Sequence, residues 1–242
     1  MAHKTYQTTE QIRWVTVTIF AVAMAWVEAA VVFYLRTMIG RIDPYQTNPL
    51  PEVANLGATE LAREAATLIM LLMVGMLAGR TSRTRLGYSA IAFGFWDIFY
   101  YVFLKVMSGW PHSLSDWDIL FLLPLPWWGP VLAPILISVL MITWGTLVNM
   151  EEAQPSQWSR EKVAWCLSLA GMGIALYVFM ADSVHALHDG ADAVRRILPV
   201  SFNCRLFGFG FVLMTAPILH LLWNRQRGRL QLSPQFAKIE PS

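Results

Sequence analysis

Asp97, Tyr101 and Lys105 follow one another at i, i+4 and i+8 in the stretch Trp96-Asp97-Ile98-Phe99-Tyr100-Tyr101-Val102-Phe103-Leu104-Lys105, with Tyr100 beside them. On a helix this spacing lays an acid, a phenol and a base along one stripe of a surface otherwise too apolar for water. An ionisable group inside a bilayer costs on the order of 3 kcal/mol or more unless it faces other helices or a wet cavity, which makes Asp97 a candidate site residue. Glu28 is in the same position, because its side chain is too short to reach the interface from its depth. Arg63 and Glu64 add a cation and an acid on one helix face.

Glu28, Arg63, Glu64, Asp97, Tyr100, Tyr101 and Lys105 therefore form a candidate site for a polar or cationic ligand, either a metal ion or a lipid headgroup. A membrane enzyme is the alternative. It would use Asp97 or Glu64 as base and Lys105 or Arg63 as electrostatic clamp on a lipid or quinone, by acid/base or metal-assisted chemistry. In a third class, a structural subunit of a larger membrane complex, the same charges serve as interhelical links. Plainer readings exist for single residues: Glu60 complements a helix dipole, Arg63 and Glu64 neutralise one another, and Lys105 snorkels to the headgroups.

The spacing Asp182-x-x-His185-x-x-His188, followed by Asp189, puts imidazoles and a carboxylate one helical turn apart. Such a set suits a divalent metal such as zinc, iron, manganese or copper, and Asp182, His185 and His188 are the metal candidates. It matches no fingerprint such as His-Glu-x-x-His, and a solvated helix end rich in Asp and His gives the same pattern. Cys166 and Cys204 lack a second cysteine at ligand spacing and are expected to be small packing residues. No glycine-rich phosphate loop, nucleophile elbow or second intramembrane histidine at the depth of His220 is present.

Only 14% of the 242 residues are charged and 56% are hydrophobic, against roughly 25% charged in soluble domains. The expected fold class is an all-α, polytopic membrane protein built as a single domain over residues 1–242. A net charge of +2, spread over helix ends and loops, excludes nucleic acid as a partner. Membrane lipids and other membrane subunits are the expected partners. The polar segment before the first apolar run lacks a small-residue cleavage site, so that run reads as an uncleaved span.

Six runs reach the ~20 apolar residues a span needs, near 14–39, 59–79, 85–108, 130–150, 161–188 and 205–223, with a tail over 225–242. Thr8-Thr9-Glu10-Gln11 reads as a capping box for the first. In the third link Ser115-Asp116-Trp117-Asp118 reads as the cap of a short interfacial helix running to Leu123. Gly190 reads as a helix stop before a basic amphipathic piece, Ala191 to Leu198. Arg80, Arg83 and Arg85 in the second link and Arg225, Arg227 and Arg229 after the last span predict an inner-membrane protein with both termini cytoplasmic. Arg36, Arg41, Arg195, Arg196 and Arg205 fall on the outer side and run against that bias. With this orientation the titratable residues of four spans gather in the outer half, predicting a polar, aromatic cavity that opens outward.

Overall fold

The computed structural model describes residues 2–45, 56–121, 125–150, 158–190, 193 and 198–236. Six helices are long and apolar enough to cross a membrane: Thr8–Met38, Gly57–Ala78, Ser82–Ser108, Leu132–Met150, Glu161–Asp189 and Cys204–Arg227. The regular elements are α1 (Ala2–Met38), α2 (Leu56–Ala78), α3 (Ser82–Ser108), β1 (Trp117–Phe121), β2 (Trp127–Pro130), α4 (Leu132–Met150), α5 (Trp158–Ala186), α6 (Cys204–Met214) and α7 (Ala216–Phe236). Apolar side chains such as Ile19, Val27, Leu77, Val106, Phe209 and Val212 stay exposed on the outside of the bundle. That is the face a lipid-embedded protein presents.

Helix α3 is the hub, packed on α1, α2 and α4, while α5 pairs with α6 and α7. Small residues set these distances. A Cβ added to Gly145 of α4 would lie 2.3 Å from the Gly87 carbonyl oxygen of α3, and one added to Gly94 would lie 2.7 Å from the Ser138 carbonyl oxygen. Gly171 and Gly210 bring α5 and α6 equally close. In lipid, where burial of apolar surface does not drive helices together, such close backbone approach supplies much of the association energy. The last span breaks at Thr215 because Pro217 has no N–H to return to the Leu213 carbonyl; Thr215 bonds back to Val212 instead.

Several local expectations change. Helix α1 begins at Ala2, so Thr8-Thr9-Glu10-Gln11 lies inside it and caps nothing. Glu10 is buried, and its carboxylate accepts from the Tyr88 hydroxyl at 2.7 Å. Cys166 and Cys204 are exposed, not packed in the core. Gly190 does end the helix that carries Asp189, at φ +96°. Most of the amphipathic piece after it lies outside the described residues, and α7 carries the tail as helix to Phe236.

The largest correction concerns the third link, where Trp117–Phe121 is a strand and not a helix. It pairs antiparallel with Trp127–Pro130, Trp117 opposite Pro130 and Phe121 opposite Trp127, with an irregularity between Ile119 and Phe121. A short apolar run rich in aromatic residues fits either state, and here the partner run Trp127-Trp128 decides. The hairpin does not lie on the bundle. The Phe121 ring stands 6.4 Å from Phe93 and 6.5 Å from Trp96, and Phe93 lies about 22 Å along α3 from its end at Ser108. On the other side the Trp127 ring stacks on Phe179 of α5 at 6.4 Å, and the Ser183 hydroxyl donates to the Pro126 carbonyl at 2.6 Å. Extended backbone is tolerated at that depth because protein surrounds it on both sides. It fills the wedge between α3 and α5.

Gly145 tests the packing account. Gly145→Ala should lower stability by about 1 to 3 kcal/mol through overpacking against the Gly87 carbonyl. Gly173→Ala has open space around its Cβ and should be neutral or slightly stabilising. Thermal unfolding of both in one detergent checks this; equal midpoints would remove Gly145 from the α3–α4 contact.

Candidate functional site

Glu28, Arg36, Glu60, Arg63 and Asp118 gather at the end of the bundle opposite the N-terminus, and they do so as pairs. Arg63 of α2 forms an ion pair with Glu28 of α1 and a second, at 2.8 Å, with Glu60 one turn before it. The Thr67 hydroxyl donates to the other Glu28 oxygen at 3.2 Å. Glu64, buried beside them, also has a partner. Glu28 and Arg63 are thus brought together, with Glu60 in the same network.

Two residues that the spacing argument did not single out as site residues make the second pair. Arg36, near the end of α1, donates through Nη2 to Asp118 Oδ1 of β1 at 2.8 Å, and its guanidinium lies 4.3 Å from the centre of the Trp110 ring. Asp118 is fully buried and its Oδ1 also accepts from the Ile119 N–H at 2.9 Å. The Tyr101 hydroxyl faces the same carboxylate, although no donor of hydrogen-bond geometry reaches Oδ2. This ion pair ties the inserted hairpin to the first span. Burial pushes the Asp118 carboxyl above its ordinary range, and the opposing pull of Arg36 only partly offsets it.

Asp97 is the exception. It is 6% exposed, on the α3 face that packs against α4, and Ser138 of α4 donates to its Oδ2 at 2.8 Å. Among the described residues no cation pairs with it and no second side chain bonds to it. Tyr100 lies at the centre of the assembly, within electrostatic reach of Asp97, Asp118, Arg36 and Arg63. Its ring stacks on Trp96 at 6.2 Å and meets Tyr101 edge-on at 5.0 Å. Asp97 therefore faces a carboxylate-and-aromatic environment in which each nearby arginine already has its own acid.

Lys105 does not join. Its ammonium is exposed and donates to the Gly109 carbonyl at 2.8 Å, closing the last turn of α3. The metal candidates also stay apart: the Asp182 carboxylate accepts from the Val200 N–H at 3.3 Å while His185 and His188 point to the surroundings. Among the described residues no group of three His, Cys, Asp or Glu side chains is set to hold a metal ion. No family model, curated protein or solved structure matches this chain.

The Arg36–Asp118 pair carries a pH signature. A carboxyl that holds its proton to higher pH in the folded state contributes most below its unfolded value, about 3.9, and that contribution is lost as pH rises through the folded value. Asp118→Asn cannot titrate, so it should lose less stability than the parent as pH rises above about 4. Arg36→Met strands the ionised acid and should cost about 3 to 5 kcal/mol near neutrality, and less in acid. Thermal midpoints across pH would contradict this if the parent gained stability relative to Asp118→Asn on going upward.

Proposed function

We propose that this protein is a multi-pass membrane protein that binds a cationic ligand at Asp97, on the side of the bundle where the inserted hairpin enters. One observation carries the reading. The arginines of the buried cluster are matched to Glu28, Glu60 and Asp118, which leaves Asp97 as a buried carboxylate held by a single serine hydroxyl. A lone anion at that depth is expensive unless a cation shares its site. The rings of Trp96 and Tyr100 beside it favour an organic ammonium over a bare metal ion, because aromatic faces attract cations that shed water easily. Glu28, Arg63, Arg36 and Asp118 then act as positioning residues that fix the spans and the hairpin around the ligand. Arg63 and Lys105 are already engaged, which leaves the enzyme reading without a free clamp.

The ion pairs themselves favour a second reading, a structural subunit in which Asp97 and Ser138 merely link α3 to α4. The orientation belongs to the proposal too: the arginines between α2 and α3 support placing both termini in the cytoplasm, with the hairpin entering from outside.

Asp97→Asn preserves shape and can still accept from Ser138. In the binding reading, choline or ethanolamine stabilises the parent by about 2.7 kcal/mol at a hundredfold excess over Kd, raising its thermal midpoint, and leaves Asp97→Asn unmoved and still assembled. In the structural reading the variant unfolds easily and neither amine stabilises the parent. Single cysteines at Ser82 and Ser113, in a chain lacking Cys166 and Cys204, check orientation. Membrane-impermeant reagent added outside should label position 113 and spare position 82.

A further inference from the structure

The charges at the hairpin end of the bundle do not balance. Arg63 is shared between Glu28 and Glu60, Arg36 serves Asp118 alone, and Asp97 has only the Ser138 hydroxyl. Among the described residues, four carboxylates thus meet two guanidinia, which leaves a surplus of two negative charges. Arg41 and Glu64, also buried and each with a partner of its own, add one charge of either sign and leave that surplus unchanged.

Two of the four carboxylates have acceptor capacity left. Asp97 takes one hydrogen bond, from Ser138. Asp118 is fully buried; its Oδ1 takes Arg36 and the Ile119 N–H, while its Oδ2 accepts from no donor. A carboxylate oxygen sealed from water without a donor is costly unless an occupant supplies one. The two acids lie within electrostatic reach of one another, and the Tyr101 hydroxyl faces Asp118. Tyr101 stands one turn, about 6 Å, beyond Asp97 along α3, and a chain of four methylenes holds two ammonium groups about that far apart. The Tyr100 ring, edge-on to Tyr101 and stacked on Trp96, lies beside both acids.

We infer that the ligand of Asp97 is a linear aliphatic diamine, with one ammonium on Asp97, the other on Asp118 Oδ2, and the methylenes against the Tyr100 and Tyr101 rings. It rests on Asp97 being a cation site, and Asp118 supplies the second anchor. A single ammonium would leave half of the surplus charge uncompensated, whereas two protonated amines cancel it. A primary ammonium donates charge-assisted bonds to a carboxylate, and aromatic rings attract it together with its methylenes. Arg36 stays on Oδ1, because a carboxylate has lone pairs for both cations. A divalent metal ion suits the place less well: it needs several ligands around one point, and among the described residues no three His, Cys, Asp or Glu side chains converge.

Calorimetric titration of the full chain in detergent at neutral pH, with butylamine and with 1,4-diaminobutane, tests it. The parent should bind the diamine about tenfold or more tighter than the monoamine. Asp118→Asn should bring the two amines to the same affinity. Because that change strands Arg36, the double variant Arg36→Met with Asp118→Asn, which leaves no charge stranded, should show the same loss of preference even where the single variant fails to assemble. Equal affinities in the parent would overturn the diamine while leaving a cation at Asp97 standing. Binding of neither amine would overturn both. A preference for the diamine that survives in the double variant would overturn Asp118 as the second anchor.

Discussion

Charge in a low-dielectric bundle has to be neutralised locally, and this constraint organises the end of the bundle that holds Glu28, Arg63 and Asp118. Arg63 and Arg36 each cross from one element to another to meet an acid. Arg63 bridges α2 to Glu28 of α1, and Arg36 bridges α1 to Asp118 of the hairpin. The pairs add little net stability over well-packed apolar residues, because desolvating two ions offsets their attraction. They do make misplacement costly: a slipped span or a withdrawn hairpin strands two charges in lipid. Stability comes instead from glycine-mediated packing of α3 on α4 and of α5 on α6, and the ion pairs fix register on top of it.

The inserted hairpin is the consequence with most bearing on function. Strand backbone reaching the level of Phe93 separates α3 from α5, and rings contributed by Phe121 and Trp127 fill the space on either side. Asp97 lies between this wedge and α4, one turn from Phe93. A buried carboxylate beside non-helical backbone is the feature on which the proposed ligand site rests.

The six apolar helices were legible from run length and composition, Glu28 and Asp97 were legible as charges too deep to reach water, and Arg63 as a cation sharing a helix face with Glu64. The hairpin was not, because five apolar residues before a proline-rich turn satisfy either period and the deciding partner, Trp127–Pro130, lies several residues on. Asp118 was misread as a helix cap for the same reason. Arg36 did leave a trace: an arginine on the side that charge bias assigns to the outside is the residue expected to have a private acid. Ser138 carried no signal in the sequence, since a serine in an apolar span is ordinary; only the α3–α4 contact reveals it.

The central claim is that Asp97 holds a cation other than a protein side chain. The most direct measurement is a high-resolution structure of the full chain in lipid nanodiscs containing choline or ethanolamine. The account predicts non-protein density within hydrogen-bond distance of the Asp97 carboxylate and against the Trp96 or Tyr100 ring, absent from the Asp97→Asn protein. Close-packed side chains on every side of Asp97, with Ser138 its one partner and no such density, would contradict it.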